Sequence, residues 1–279
     1  MTTDDPVSDA GGRTLAVNCS ILMTDRPLPE RLRRVREAGG DAVELWWPFA
    51  SADPAADEVD ALVRAVEDAG VALVGLNLFA GDMPAGDRGV LSWPGREAEL
   101  DASARVAVRI AERLGTRRFN VLYGNRLEGH DAAEQDALAV RSLAALAPRF
   151  ETFDGILMIE PVSGAAAYPV RTATQAADVV DRVAAHGGPT NLGVLLDLFH
   201  LATNGDDVGA AIETFGAVAA HVQVADAPGR GVPGTGDLPI RDWLRRLRSV
   251  GYTGRVALEC TTDGDPFDHL DLHDWKDLA

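Results

Sequence analysis

NLGVLLD, residues 191–197, is an apolar run too short for a helix, and it stops on a carboxylate. Bounded upstream by Gly187, Gly188 and Pro189 and rich in Val and Leu, it reads as a strand buried on both faces. Three further runs share the design: GILMIE (155–160), AVAAHVQ (217–223) and RVALE (255–259) end on Glu160, Gln223 and Glu259. A polar side chain at the last residue of a buried strand has left the core and faces whatever lies beyond the sheet edge. When four successive strands do this, with helical segments between them, their oxygens converge at the C-terminal mouth of a parallel barrel.

Outward from these runs the same pattern fills the chain. Strands are expected over residues 14–20, 41–47, 71–78, 117–123, 155–161, 191–197, 217–226 and 255–261. Between them lie segments with apolar residues at three- and four-residue spacing, such as LPERLRRVREAG (28–39), DPAADEVDALVRAVEDAG (53–70) and REAELDASARVAVRIAERLG (96–115), each ending at glycine. Strand then helix, eight times over, predicts an α/β fold: one (β/α)8 TIM barrel over residues 14–279, with residues 1–13 a disordered tail. A doubly wound sheet is the main competitor, but no strand leads into GxGxxG or GxxxxGK[ST]. The longest irregular stretches follow the third, fifth and seventh strands, so they share the mouth with the four oxygens.

Composition narrows the chemistry. The 279 residues are 46% hydrophobic and 25% charged, as in a soluble globular protein with ample core. A net charge of −17 argues against nucleic-acid partners, which need a basic footprint. No long apolar run and no basic-then-apolar leader is present, which predicts a cytoplasmic protein with no membrane contact. Cys19 and Cys260 fall on the first and last expected strands, neighbours in a closed barrel, and read as buried free thiols. Lys276 is the one lysine, so a Schiff-base aldolase or pyridoxal phosphate enzyme has no candidate nucleophile inside the barrel.

Glu160, Asp197, Gln223 and Glu259 offer three carboxylates and an amide oxygen at one point. Packed carboxylates repel, and either stay protonated or hold a cation. An all-oxygen set suits Mg²⁺ or Mn²⁺. The competing expectation is that such carboxylates cap helices or pair with arginines. His200, in DLFH, and His221, two residues before Gln223, are candidate substrate contacts, as is the inward Glu44. Trp46 and Trp47 can wall a pocket or pack under a helix, and packing is the preferred assignment. Arg230, in the glycine-rich APGRGVPGTGD, can bind a substrate carboxylate. A cation beside two glutamates suits proton transfer at a carbon next to a carbonyl, the chemistry of an aldose–ketose isomerase or an epimerase.

Four segments carry a resemblance to a known family: NLFAGDMPAGDRGVLSWPGRE (77–97), IEPVS (159–163), LLDLFH (195–200) and HVQVADAPGRGVPGTGD (221–237). The chain resembles the hydroxypyruvate isomerase family of the xylose isomerase-like barrels from about Ala16 to Thr261. The resemblance implies that Glu160 and Glu259 are the acid/base pair and also bind a divalent metal, with Asp197 and Gln223 completing its shell. It places His200 and Arg230 on the substrate side. Sugar 3-epimerases of the superfamily usually carry histidine where this chain has Gln223. The implied substrate is a small 2-oxo or hydroxy acid: hydroxypyruvate, interconverted with tartronate semialdehyde, or a 2-oxo-tetronate. A sugar 3-epimerase or a polyol-ketone dehydratase is the alternative, and a non-catalytic binding protein a third. Ser163 stands where the family usually has asparagine, and Cys260, Thr261 and Thr262 replace its tyrosine-lysine-proline. A homodimer through surface helices is the expected assembly.

Overall fold

The computed structural model describes residues 15–185, 187–268 and 270–275. The expected tail over residues 1–13 lies outside them. Eight parallel strands close in sequence order: β1 (Ala16–Asn18), β2 (Ala42–Leu45), β3 (Ala72–Asn77), β4 (Arg118–Asn120), β5 (Ile156–Ile159), β6 (Leu192–Asp197), β7 (His221–Val224) and β8 (Val256–Leu258). The chain is an α/β closed barrel, as its pattern predicts. β8 returns to β1 with Ala16 opposite Ala257 and Val17 opposite Leu258.

The helices are α1 (Leu28–Glu37), α2 (Ala56–Ala69), α3 (Glu97–Leu114), α4 (Ala132–Glu151), α5 (Ala173–Ala185), α6 (Leu198–Asn204), α7 (Val208–Phe215) and α8 (Ile240–Ser249). Each apolar stripe packs on the strands. In α2 it is Val59, Leu62, Val63 and Val66, all buried. The strict eightfold alternation is not kept, however. Two helices lie between β6 and β7, because the carboxylates of Asp197 and Asp207 each cap a helix start. After β8, the described residues form only 3₁₀ turns, Pro266–Asp268 and Leu272–Trp275. There Asp265 binds Arg26 at 3.1 Å and Arg34 at 2.6 Å, which fastens the segment after β8 to the first βα unit. The seventh strand is also shorter than expected. The first two residues of the apolar run AVAAHVQ fall in a 3₁₀ turn, Gly216–Val218, and pairing begins only at His221. Alanines without β-branching have little preference for the pleated sheet.

The interior explains where the site can be. Ala16, Ala42 and Ala257 form a small cluster of their own. Two residues further along the same strands stand Asn18, Glu44 and Glu259. Side chains repeat every second residue in a strand, so the alanines occupy the narrow floor directly below a polar ring. Arg118 shares its strand face with Asn120, and its Nε donates to the Ala220 carbonyl at 2.8 Å. The wider, upper layer is left to polar side chains.

Candidate active site at the barrel mouth

The four predicted residues are all buried at the mouth, with Asp197 fully inaccessible and Glu160 and Glu259 each 4% exposed; Glu160 and Asp197 cluster with His200, while Glu259 is bound by Gln223 and by Arg230, which also reaches Asp197. Asp197, the last residue of β6, uses one oxygen structurally. Its Oδ1 accepts from the backbone N–H of Phe199 (2.8 Å) and His200 (3.0 Å), capping α6. Oδ2 is buried without a hydrogen-bond partner, as are Gln223 Oε1 and Asn120 Oδ1. The capping expectation is therefore met by half of one carboxylate, and the other half is aimed into the site. An unpaired buried oxygen costs about 1–3 kcal/mol, and a ligand or cation removes that cost.

Glu160 Oε2 accepts from Asn120 Nδ2 at 2.6 Å. Glu259 is held on both oxygens: Oε2 accepts from Asn18 Nδ2 at 3.1 Å and from Gln223 Nε2, and Oε1 accepts from Trp46 Nε1 at 3.2 Å and from Arg230 Nη2. Burial, reinforced by the charges of Glu259 and Asp197, raises the Glu160 carboxyl well above the usual range. Burial raises Glu259 to about 8, against the pull of Arg230 and with help from Glu44 and Asp197. Arg230 keeps its charge: burial works against it, but Glu259, Asp197 and Glu160 outweigh that and raise it further. Its Nη2 lies 3.5 Å from Asp197 Oδ2, and its Nε donates to the Glu259 carbonyl at 3.1 Å.

His200 approaches Asp197 Oδ2 to 3.6 Å and Glu160 Oε1 to 3.8 Å through Nε2, so these three side chains form a compact candidate ligand cluster. The other ring nitrogen decides the role of the imidazole. Nδ1 lies 3.1 Å from the Ser163 backbone N–H and 2.7 Å from its hydroxyl. It therefore accepts, which leaves the proton on Nε2 and makes His200 a donor into the site, not a cation ligand. Burial lowers the imidazole to about 4; Asp197 opposes the shift, while Arg230 and Arg88 add to it. Ser163, one of the departures from the family pattern, thus fixes the tautomer with its main chain and its side chain.

Glu44 and His221 sit lower. They bind each other, His221 Nε2 to Glu44 Oε2 at 2.8 Å, while Glu44 Oε1 accepts from Gln223 Nε2 at 2.6 Å and Asn18 Nδ2 at 3.0 Å. Neither lines the cleft. That cleft, about 940 Å³, opens above Glu160, Glu259, His200 and Arg230 and is walled by the loops after β2, β3 and β5. Trp46 and Trp47 both line it, so the wall role holds for each, beside the packing role that was preferred. Just past β2, Trp46 N donates to Ser20 Oγ at 2.9 Å, and Trp47 also packs against the hydrophobic core.

Several contributors went unrecognised in the sequence. Asn18, Asn77 and Asn120 end β1, β3 and β4, so the strand-end rule that selected the carboxylates finds them too when applied to the first half of the barrel. Asp226 had no signal of its own. Its carboxylate accepts from the backbone N–H of Ala227 (2.9 Å), Gly234 (2.7 Å) and Leu238 (3.0 Å), pinning the loop that carries Arg230.

The family described as xylose isomerase-like TIM barrel matches residues 32–277. The chain belongs to this family. Its relatives include a putative hydroxypyruvate isomerase of Streptomyces coelicolor, 47% identical over 254 residues, 90% of this chain and 91% of the relative. A 2-oxo-tetronate isomerase of Haemophilus influenzae is 25% identical over 92% of this chain and 96% of its own. Among solved structures, a protein named AP endonuclease, family 2, from Brucella melitensis superposes with a TM-score of 0.81 at 28% identity, covering 92% of this chain and 96% of its own. Within the family, the chain is hydroxypyruvate isomerase-like, an enzyme of the isomerase class. Among the described residues, no helix is long and apolar enough to cross a membrane.

Proposed function

We propose that the chain isomerises a small 2-oxo hydroxy acid with the help of a divalent cation, interconverting hydroxypyruvate and tartronate semialdehyde or acting on a 2-oxo-tetronate. The observation that carries this is Asp197 Oδ2 beside Glu160, buried without a hydrogen-bond partner and only 3.5 Å from the Arg230 guanidinium, with Gln223 Oε1, also without a hydrogen-bond partner, on the neighbouring strand. Oxygens so placed fit Mg²⁺ or Mn²⁺, which Glu160, Asp197, Gln223 and Glu259 would hold. Bound there, the cation would polarise the substrate carbonyl and take up the negative charge of the enediolate.

The remaining work falls to the chain. One glutamate takes the proton from the carbon next to the carbonyl, and the same or the facing glutamate returns it to the neighbouring carbon. Without a cation, burial raises both carboxyls above the usual carboxylate range. Asn120 orients Glu160; Asn18, Trp46 and Arg230 orient Glu259. His200 offers its Nε2–H to a substrate oxygen. Glu44 and His221 support the floor, holding Asn18 and Gln223 in place. The indoles of Trp46 and Trp47 keep water from the enediolate. Work in the cytoplasm suits the two thiols, free and buried, which burial pushes up to about 12.

The test is NMR of hydroxypyruvate in D2O with the chain and Mg²⁺ or Mn²⁺. Cation-dependent α-proton exchange with tartronate semialdehyde appearing is expected. Glu160→Gln and Glu259→Gln should each lower the rate by about 10²- to 10⁴-fold with the fold retained. No exchange with any 2-oxo acid of three or four carbons would refute the assignment.

A further inference from the structure

The mouth holds more positive charge than the proton-transfer machinery uses. Three arginines line the cleft: Arg88, Arg96 and Arg230. Arg230 is paired with Glu259 and Arg96 with Glu99. Among the described residues, Arg88 is the one cleft arginine without a carboxylate partner. Its Nη1 donates to two carbonyls of its own loop, Met83 at 3.0 Å and Asp87 at 2.7 Å, and its Nε and Nη2 have no hydrogen-bond partner among the described residues. An unmatched guanidinium edge in a half-buried site is poised for an anion, and the fork of two N–H groups matches a carboxylate.

The backbone around Arg88 is held on both sides. Its carbonyl accepts from Gly124 N at 2.9 Å, in the loop after β4, and the next residue, Gly89, donates to Ala80 O at 2.9 Å. Gly89 has φ of +102° and lies so close to Leu122 that a Cβ would come within 2.0 Å of its carbonyl oxygen. Only glycine fits there, so the residue carrying Arg88 is clamped between two loops of the mouth. The nearby acids are occupied with the loop itself: Asp87 Oδ2 accepts from Asp82 N at 2.7 Å, and Asp82 Oδ1 from Ala85 N at 3.1 Å. Arg88 and His200 line the same cleft, so the guanidinium shares its space with the donor proposed to meet the substrate.

We propose that Arg88 binds the carboxylate of the substrate. Arg230, by contrast, holds Glu259. The ligand class rests on the isomerase proposal above. A 2-oxo acid is then fixed at two ends, its carboxylate on Arg88 and its carbonyl and hydroxyl between Glu160 and Glu259. A neutral ketose of the same length lacks the first anchor, and this gives the site a preference for acids over sugars.

The test compares two ligands that differ only in the group facing Arg88: hydroxypyruvate, and dihydroxyacetone, in which a hydroxymethyl replaces the carboxylate. Binding to wild type, Arg88→Gln and Arg88→Lys is measured by isothermal titration with Mg²⁺ present, and α-proton exchange by NMR. Arg88→Gln should weaken hydroxypyruvate by about 10- to 100-fold, the range of a charge-assisted pair, with Arg88→Lys recovering part of the loss. Dihydroxyacetone should bind all three proteins alike. Equal weakening of both ligands, an unchanged hydroxypyruvate affinity, or a wild type that binds neither would overturn the assignment. Arg88-dependent binding without any proton exchange would keep the anion subsite and remove the isomerase function instead.

Discussion

Glu44 shows how a charged side chain is accommodated in the barrel. Three donors meet its two oxygens: Asn18 and Gln223 at Oε1, and His221 at Oε2. Room for it comes from Gly75 on the adjacent strand, where a Cβ would lie 3.2 Å from both Glu44 Cβ and Oε2. Alanine at this position crowds a carboxylate that cannot move without releasing three partners. Gly75→Ala should therefore destabilise the fold by about 1–3 kcal/mol, read as a lower urea midpoint, and should slow proton exchange by displacing Gln223. Unchanged stability would show that the Glu44 network tolerates the shift. Nothing in the local sequence ALVGLN marks Gly75 as a partner of Glu44, because the two meet only through the pairing of β2 with β3.

The segment after β7 illustrates a loop whose order depends on one carboxylate. Asp226 pairs its backbone with Gly231 in both directions, at 2.8 and 2.9 Å, and its side chain gathers the N–H groups of residues on either side of the turn. Burial works to raise this carboxyl, but hydrogen bonds from Leu238, Gly236, Gly234 and Ala227 prevail and hold it below the usual range. Its contribution to stability is thus present above the ordinary carboxylate pKa and is lost as pH falls through the depressed value. Asp226→Asn replaces an acceptor with an NH₂ facing backbone donors. The variant should lose about 1–3 kcal/mol, its amides at 227–238 should exchange faster with D2O, and it should lack the acid-side loss of loop protection seen in wild type. Wild-type protection of these amides in the variant would exclude the pinning role.

At the scale of the domain, the ring of acids at the mouth is a liability that a cation relieves. Without one, the folded chain holds a proton on Glu259 up to about pH 8, whereas the unfolded chain releases it near 4.5. This group's contribution to stability is complete below about 4.5 and is lost as pH rises through 8. Cation binding requires deprotonated ligands and so reverses the trend. At pH 8.5, Mg²⁺ or Mn²⁺ at about 100 times Kd should stabilise the fold by about 2.7 kcal/mol, which is a rise in Tm of roughly 5–10 °C for a domain of this size. Differential scanning calorimetry should show a smaller rise at pH 5.5, and chelation should abolish it. Asp197→Asn, which leaves the α6 cap one acceptor oxygen, should remove most of the cation effect. An equal shift at both pH values would mean the ion binds elsewhere.

The barrel was legible in the chain because buried parallel strands must be apolar along their whole length, and eight such runs spaced by amphipathic segments have few other solutions. The strand-end oxygens were legible for the same reason: a carboxylate that closes an apolar run has to emerge at the mouth. Only the tertiary structure decided how those oxygens are used. Asp197 caps α6 with one oxygen and leaves the other without a hydrogen-bond partner, Arg230 turns toward Glu259, and Glu44 and His221 pair beneath the site. The partners lie up to 241 positions apart in the chain, as Asn18 and Glu259 do, and hydrogen bonding over that separation is set by barrel register and not by any local pattern. The unpaired guanidinium of Arg88 belongs to the same class: its charge is written in the sequence, but the missing partner becomes visible only when its neighbours have been placed.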